Sequence, residues 1–384
     1  METSRSVFAR LSANYTSVYI YLGIMTPFWA IWLKYKGLSP SEIGIIIAIP
    51  YLIKLIVAPA ISQASDKREE YRRPLIFCLV SSAISASFYF VANGFWQLMV
   101  VTIFVNLTLP AVMPLMETIT VAQTTKHNLQ YGRIRSFGSI SFILAAVILG
   151  WVIKDTGQSI ILPFAFLSLT IVLLTVISLP SGNKKYISGG GASSGSPIKL
   201  LLQNNDFVWF LVIVGLIQAS HGVFYSMGSI YWQEHGFEEH VIGLLWAVGV
   251  VAEILFFIYC GNIIRKFPVL MIFSLIGFFG AIRWFLFSIT LSLPIIIFGQ
   301  MIHGLTFGAS HLVAIHYLSN TIHEEHAGTA QSLYSSIPLG IVMGISTYVG
   351  GILYEYISGR AYIAMSLMCF IAFLISTVRI RRQK

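Results

Sequence analysis

The chain has 384 residues, 56% of them apolar, 14% aromatic and only 10% charged, which leaves too little polar surface for a soluble fold and points to a polytopic membrane protein. A formal net charge of +9 would suggest nucleic acid in a soluble chain, but here the basic residues sit in short segments between apolar runs, where they set membrane topology, so nucleic-acid binding is excluded. Cys78, Cys260 and Cys369 make no metal-ligand spacing and read as small hydrophobes.

Runs of about 20 apolar residues, enough to cross ~30 Å of hydrocarbon, predict membrane helices near 14–33, 41–62, 74–93, 96–124, 135–153, 160–180, 207–232, 240–261, 269–289, 294–320, 329–353 and 361–378. The first run is longer than a signal-peptide core and lacks a small-x-small cleavage pattern before Lys34, so it is read as a retained helix. The fold class is therefore an all-α membrane protein of twelve transmembrane helices. On one side the loops and tails carry most of the Lys and Arg, from Arg5 and Arg10 through Lys126 and Arg265 to Lys384. The other side has only Lys34, Lys36, Lys154 and Arg360. That excess places both termini in the cytoplasm of a multi-pass protein of the cytoplasmic (inner) membrane. Between the sixth and seventh spans the Gly/Ser-rich stretch Ser181 to Pro197 reads as a flexible tether. It divides a first six-helix bundle (1–180) and linker (181–198) from a second bundle (199–384).

The halves echo each other. Gly37-(x)5-Ile43-Gly44 recurs as Gly236-(x)5-Ile242-Gly243, and Lys54 of the second span has its counterpart, 199 positions later, in Glu253 of the eighth. A charge at mid-bilayer depth costs at least a few kcal/mol, so each needs a partner or a function. Duplicated membrane domains with ionisable groups facing inward are how many secondary transporters are built.

On the fourth span Pro110, Pro114 and Glu117 share a face, and Arg135 at the start of the fifth is the expected partner of the Glu117 carboxylate. The second half holds a denser set. Gln218, His221 and Tyr225 align on the seventh span, Trp246, Gly249 and Glu253 on the eighth, Arg283 lies on the ninth, and His303 and His311 lie on the tenth. Titratable groups converging from four apolar helices predict a buried relay, although each histidine taken singly reads as a satisfied core residue. His303 and His311 are eight apart, so no local zinc pair exists and no metal site is expected. Nor is there a phosphate loop or nucleophile elbow, which argues against a membrane enzyme. Most of the aromatic residues, Tyr21, Phe28, Trp29, Tyr225, Trp246 and Trp284 among them, are expected to face lipid or the interface, the alternative for those on the inward faces being to stack on a substrate ring.

After the second span, Ser62-Gln-Ala-Ser-Asp66-Lys67 followed by Arg72-Arg73 resembles the loop signature of the major facilitator superfamily, with Ser62 and Glu69 replacing its two glycines. The resemblance implies a conformational latch at Asp66, Lys67 and Arg72. Further segments, among them Pro27-Phe-Trp-Ala-Ile-Trp-Leu33, Tyr131-Gly-Arg-Ile-Arg-Ser-Phe-Gly-Ser139, Gly249-Val-Val-Ala-Glu253, Arg283-Trp284 and His303-Gly-Leu-Thr-Phe307, resemble the phenylpropionate permease family, related to the oligosaccharide:proton symporters. Glu117 departs from the Asp and Lys54 from the Arg that the family often has, each with charge sign kept. The resemblance implies secondary active transport by two rocking bundles: proton-coupled uptake of a small organic acid such as 3-phenylpropionate. Substrate would meet Lys54, Glu117, Arg135, Tyr225, Trp246 and Arg283, and Glu253, His221, His303 and His311 would handle the proton. The proton gradient would replace any cofactor, and the partners would be substrate, protons and lipid, with the chain acting as a monomer. The alternatives are a sugar or nucleoside proton symporter of the same fold and, from a different class, a membrane enzyme or sensor.

Overall fold

Helix starts follow from local chemistry. Ser39 accepts from the Glu42 backbone N–H at 3.4 Å while the Glu42 carboxylate accepts from the Ser39 N–H at 2.9 Å, a reciprocal cap that opens helix α2. Just before it Gly37 adopts φ +85°, and before the equivalent helix of the second half Gly236 adopts φ +86°. A left-handed turn is open to glycine at no steric cost, so the repeated glycines mark repeated backbone geometry.

The computed structural model describes residues 3–180, 197–259, 261–264 and 266–383. Residues 181–196 of the expected linker, Cys260, Arg265 and Lys384 lie outside them. The described chain is helical, with no strand. Through the first half run α1 (Ser4–Tyr35), α2 (Pro40–Arg68), α3 (Arg72–Ser87), α4 (Gly94–Asn106), α5 (Val112–His127), α6 (Tyr131–Thr156) and α7 (Ile161–Ile177). The second half has α8 (Pro197–Gln203), α9 (Asn205–Ala219), α10 (Gly222–Glu234), α11 (Glu239–Tyr259), α12 (Gly261–Ile264), α13 (Val269–Ile289), α14 (Leu293–His303), α15 (Ser310–Thr321), α16 (Glu324–Ser336), α17 (Met343–Ile357) and α18 (Tyr362–Gln383).

Among the described residues, eleven helical runs are long and apolar enough to cross a membrane. The last, Glu325–Arg381, is divided at Ser358–Ala361 by a turn with Ser358 at φ 49°. Its two arms make the passes twelve, as the hydropathy pattern requires. Four spans expected to be continuous are interrupted, the fourth, seventh, tenth and eleventh. The fourth turns at Leu109–Ala111 around Pro110, the seventh at Ser220–His221, and the tenth carries a π-helical segment at Gly304–Ala309. A second π segment, Ile337–Val342, precedes α17.

Two compact units emerge: Met1–Tyr186 with Gly236–Ala247, and Ile187–His235 with Val248–Lys384. Within the first, the opening turns of α11 lie on α6 with almost no room. A Cβ on Gly243 would meet the Ala146 carbonyl oxygen at 2.3 Å, and one on Gly150 the Glu239 oxygen at 2.6 Å. Lys154 Nζ reaches Glu238 at 2.8 Å beside that contact. Within the second, Gly277 and Gly280 let α13 lie on α18, where a Cβ would come within 2.9 Å of Cys369 atoms. Cys78 and Cys369 are free and buried, as small hydrophobes should be.

Candidate functional site

The second bundle buries a cation. Arg283 on α13 is fully inaccessible, and its guanidinium lies 4.0 Å from the Trp284 ring centre. Nη1 donates to His303 Nδ1 at 3.1 Å and to Thr306 Oγ1 at 3.0 Å, and Nη2 donates to Gln300 Oε1 at 3.0 Å. Gln300, His303 and Thr306 recur every third residue and so present one face toward Arg283. All four acceptor groups around this cation, counting His221 Nε2 at 3.3 Å, are neutral or titratable, and none is a carboxylate.

The carboxylate comes one step later. Because His303 Nδ1 accepts from a permanently charged donor, its ring proton belongs on Nε2, and Nε2 donates to Glu253 Oε1 at 2.9 Å. His221 is oriented the other way. Its Nδ1 donates to the Gln218 carbonyl at 3.0 Å, leaving Nε2 to accept, with Thr306 Oγ1 at 3.2 Å. Gly249, whose absent Cβ would press to 3.3 Å on His303, gives the ring its place. The π segment sets Gly308 beside Glu253, a deviation often found at working sites.

Arg283, His303 and Glu253 thus form a chain in which one neutral imidazole accepts at one end and donates at the other. A second proton on His303 would turn Nδ1 from acceptor to donor against the guanidinium, so Arg283 and the imidazolium cannot keep this contact together.

His221, His303, Glu253 and Arg283, expected to converge, do so, and Tyr225 stacks on His221 at 5.7 Å between ring centres. His311 is the exception. Its Nδ1 shares a 2.7 Å hydrogen bond with Tyr334 Oη and makes none with Arg283. Gln300, Thr306 and Tyr334 were not anticipated, because neutral side chains raise no alarm in an apolar run. The i−3 and i+3 spacing from His303 was the available signal.

In the first bundle the expected Glu117–Arg135 pair is not made. Glu117 accepts from Tyr131 Oη at 2.9 Å, and Arg135 donates to Ser139 Oγ at 3.3 Å with its guanidinium 4.2 Å from the Tyr19 ring centre. Tyr131 opens α6 four residues before Arg135 and takes the carboxylate first. Lys54 is exposed, with no hydrogen bond or ion pair among the described residues. Trp246, Trp284 and Phe28 are buried, against the expected lipid or interfacial placement. In the loop after α2, Asp66 accepts from Tyr71 Oη at 2.8 Å, Lys67 is exposed, and Arg72 donates to the Ile177 carbonyl. Among the described residues no group of three or more His, Cys, Asp or Glu could hold a metal ion.

A family model described as MFS_1 like family matches residues 8–364. The chain belongs to that family. Its members share the major facilitator fold, two six-helix bundles of membrane transporters. Among curated relatives of this MFS_1-like chain, the probable 3-phenylpropionic acid transporter of Escherichia coli (strain K12) is 28% identical over 362 residues, covering 93% of this chain and 94% of the relative. The maltose permease of Geobacillus stearothermophilus is 24% identical, covering 96% and 94%. The solved structure of the nucleoside transporter NupG superposes with a TM-score of 0.84 at 13% identity, covering 98% of this chain and 99% of that one, a likeness of fold.

Proposed function

We propose that this MFS_1-like protein is a proton-coupled importer of small organic acids, with an aromatic acid as its cargo, working by alternating access in the cytoplasmic membrane with both termini cytoplasmic. The observation that carries the reading is the chain Arg283–His303–Glu253, in which proton arrival and the position of a buried cation are mutually exclusive. Protonating Glu253, or His303 through it, releases the hydrogen bond that orients the imidazole and so loosens Arg283. His221 supports the same guanidinium, and His311 with Tyr334 stands as a neighbouring titratable pair. Lys54 and Arg135 supply positive charge without a carboxylate partner in an apolar bundle, suited to a substrate carboxylate. The tyrosine rings beside Arg135 suit an aromatic body. Glu117, Tyr225 and Trp246 complete the substrate-facing set, and Asp66, Lys67 and Arg72 are the latch. The relative whose name carries 3-phenylpropionic acid supports this choice of cargo.

The test is uptake into proteoliposomes under an imposed pH gradient, with and without a protonophore. Wild-type protein accumulates an aromatic acid and loses the accumulation when the gradient collapses, whereas Glu253→Gln, a mimic of the protonated carboxyl, exchanges substrate without concentrating it. Uphill transport surviving the protonophore would remove proton coupling. The Glu117–Tyr131 hydrogen bond and the maltose permease relative favour a second reading, a sugar or nucleoside symporter gripping hydroxyls. A thermal-shift screen of aromatic acids, sugars and nucleosides separates the two, since the true ligand raises stability.

A further inference from the structure

The first bundle carries a second cationic feature besides Arg135. A cavity of about 410 Å³ opens among Arg10 of α1, Arg72 at the start of α3, Gln123 and Lys126 of α5, and residues 177–180 at the end of α7. Three cations line it and no carboxylate does. Glu70, two residues before Arg72, is engaged elsewhere: its Oε1 accepts the backbone N–H groups of Arg72 and Arg73, and its Oε2 lies 4.0 Å from the Arg73 side chain. Arg72 gives one nitrogen to the Ile177 carbonyl, while its Nε is buried with no acceptor. Lys126 is exposed and has no hydrogen bond or ion pair among the described residues.

A buried N–H without an acceptor costs about 1–3 kcal/mol, and the charges of Arg72 and Lys126, neither paired with a carboxylate among the described residues, repel each other. Both are relieved by an anion with several acceptor oxygens. A phosphate group fits best, since it meets a guanidinium and an ammonium at once through charge-assisted hydrogen bonds. All four helices contribute the end that carries the basic loops, the level at which lipid headgroups lie. We propose that this cavity, which shares Arg72 with the latch but none of the residues assigned to substrate or proton, is a phosphate-binding site filled by the phosphate of an anionic lipid or by soluble phosphate.

The experiment measures binding to the detergent-solubilised full chain by native mass spectrometry and thermal shift, with phosphatidylglycerol, phosphatidylcholine and inorganic phosphate as probes. Arg72→Gln and Lys126→Gln are compared with wild type. Site-dependent binding of phosphatidylglycerol over phosphatidylcholine, weakened about tenfold in both variants, identifies a lipid phosphate, since one charged hydrogen bond is worth about that factor. Binding of inorganic phosphate with the same dependence identifies the soluble source. Should Lys126→Gln, an exposed change that leaves the helix intact, bind every probe as wild type does, the site is refuted. Transport of the substrate is not read, so failure here leaves the proposed function standing.

Discussion

The two bundles handle buried charge in opposite ways. In the second, Arg283 is fully enclosed and every near acceptor is fixed by packing, with the compensating carboxylate held one imidazole away. In the first, Lys54 is exposed, and Arg135 and Glu117 are half-exposed and settle for a serine and a tyrosine rather than each other. A sealed network is rigid and costly to disturb. Loosely partnered charges can be claimed by a ligand. The contrast shows that duplication of the sequence unit did not duplicate the electrostatics.

The contrast breaks most visibly at Arg283. Replacing it with Ala strands two histidines, a glutamine and a threonine, and should destabilise the protein by about 3 kcal/mol or more, with loss of uptake. Arg283→Lys, which keeps charge but loses the fork, should fail in transport even where it folds. Thermal melting in detergent together with vesicle uptake reads both. Next in size is packing. On Gly304 a Cβ would meet Ala252 backbone atoms at 2.6 Å, so Gly304→Ala should cost about 1–3 kcal/mol. Gly132→Ala, with nothing within 4 Å, should stay within about 0.5 kcal/mol. Equal melting shifts for the two would deny the difference in tightness.

In the first bundle Glu117→Gln keeps an acceptor for Tyr131, so stability should move by less than about 1 kcal/mol. Arg135 is not stranded, and any loss of substrate affinity must come from Glu117 itself. An effect of Glu117→Gln that vanishes in an Arg135→Gln background would instead reveal a pair formed in another state. The smallest effect is expected at Glu238, which the Lys154 hydrogen bond holds below the usual carboxylate range. A depressed pKa contributes stability above the unfolded value and loses it as pH falls through the folded one. The melting difference between wild type and Glu238→Gln should therefore be present at neutral pH and decline only as pH falls below the ordinary carboxylate range. A difference that grows on acidification would show that His240, 3.1 Å from Glu238, governs the contact instead.

Much of this was legible because membrane helices announce themselves by length and apolarity. All twelve passes and the convergence of His221, Glu253, Arg283 and His303 follow from such patterns. Spacing along one helix fixes a face but says nothing about which of two neighbours reaches across first, and so Tyr131 rather than Arg135 holds Glu117. The breaks at Ser220–His221 and Gly304–Ala309 were invisible for a related reason. Hydropathy is blind to a local change of hydrogen-bond register, and His311 is set apart from His303 by such a change.

That register change has an angular meaning. Each residue of an α-helix advances the side-chain direction by about 100°, and a π turn absorbs one residue more than an α turn does. Deleting one residue within Gly304–Ala309 would remove the bulge and keep the phase, but rewinding the segment as α-helix at its full length would slip the phase of everything after it by about 100°. His303 would keep its place against Arg283, while His311 would swing off Tyr334. The tenth span is thus wound in two phases, so that one helix can serve two neighbours whose directions no single winding could satisfy.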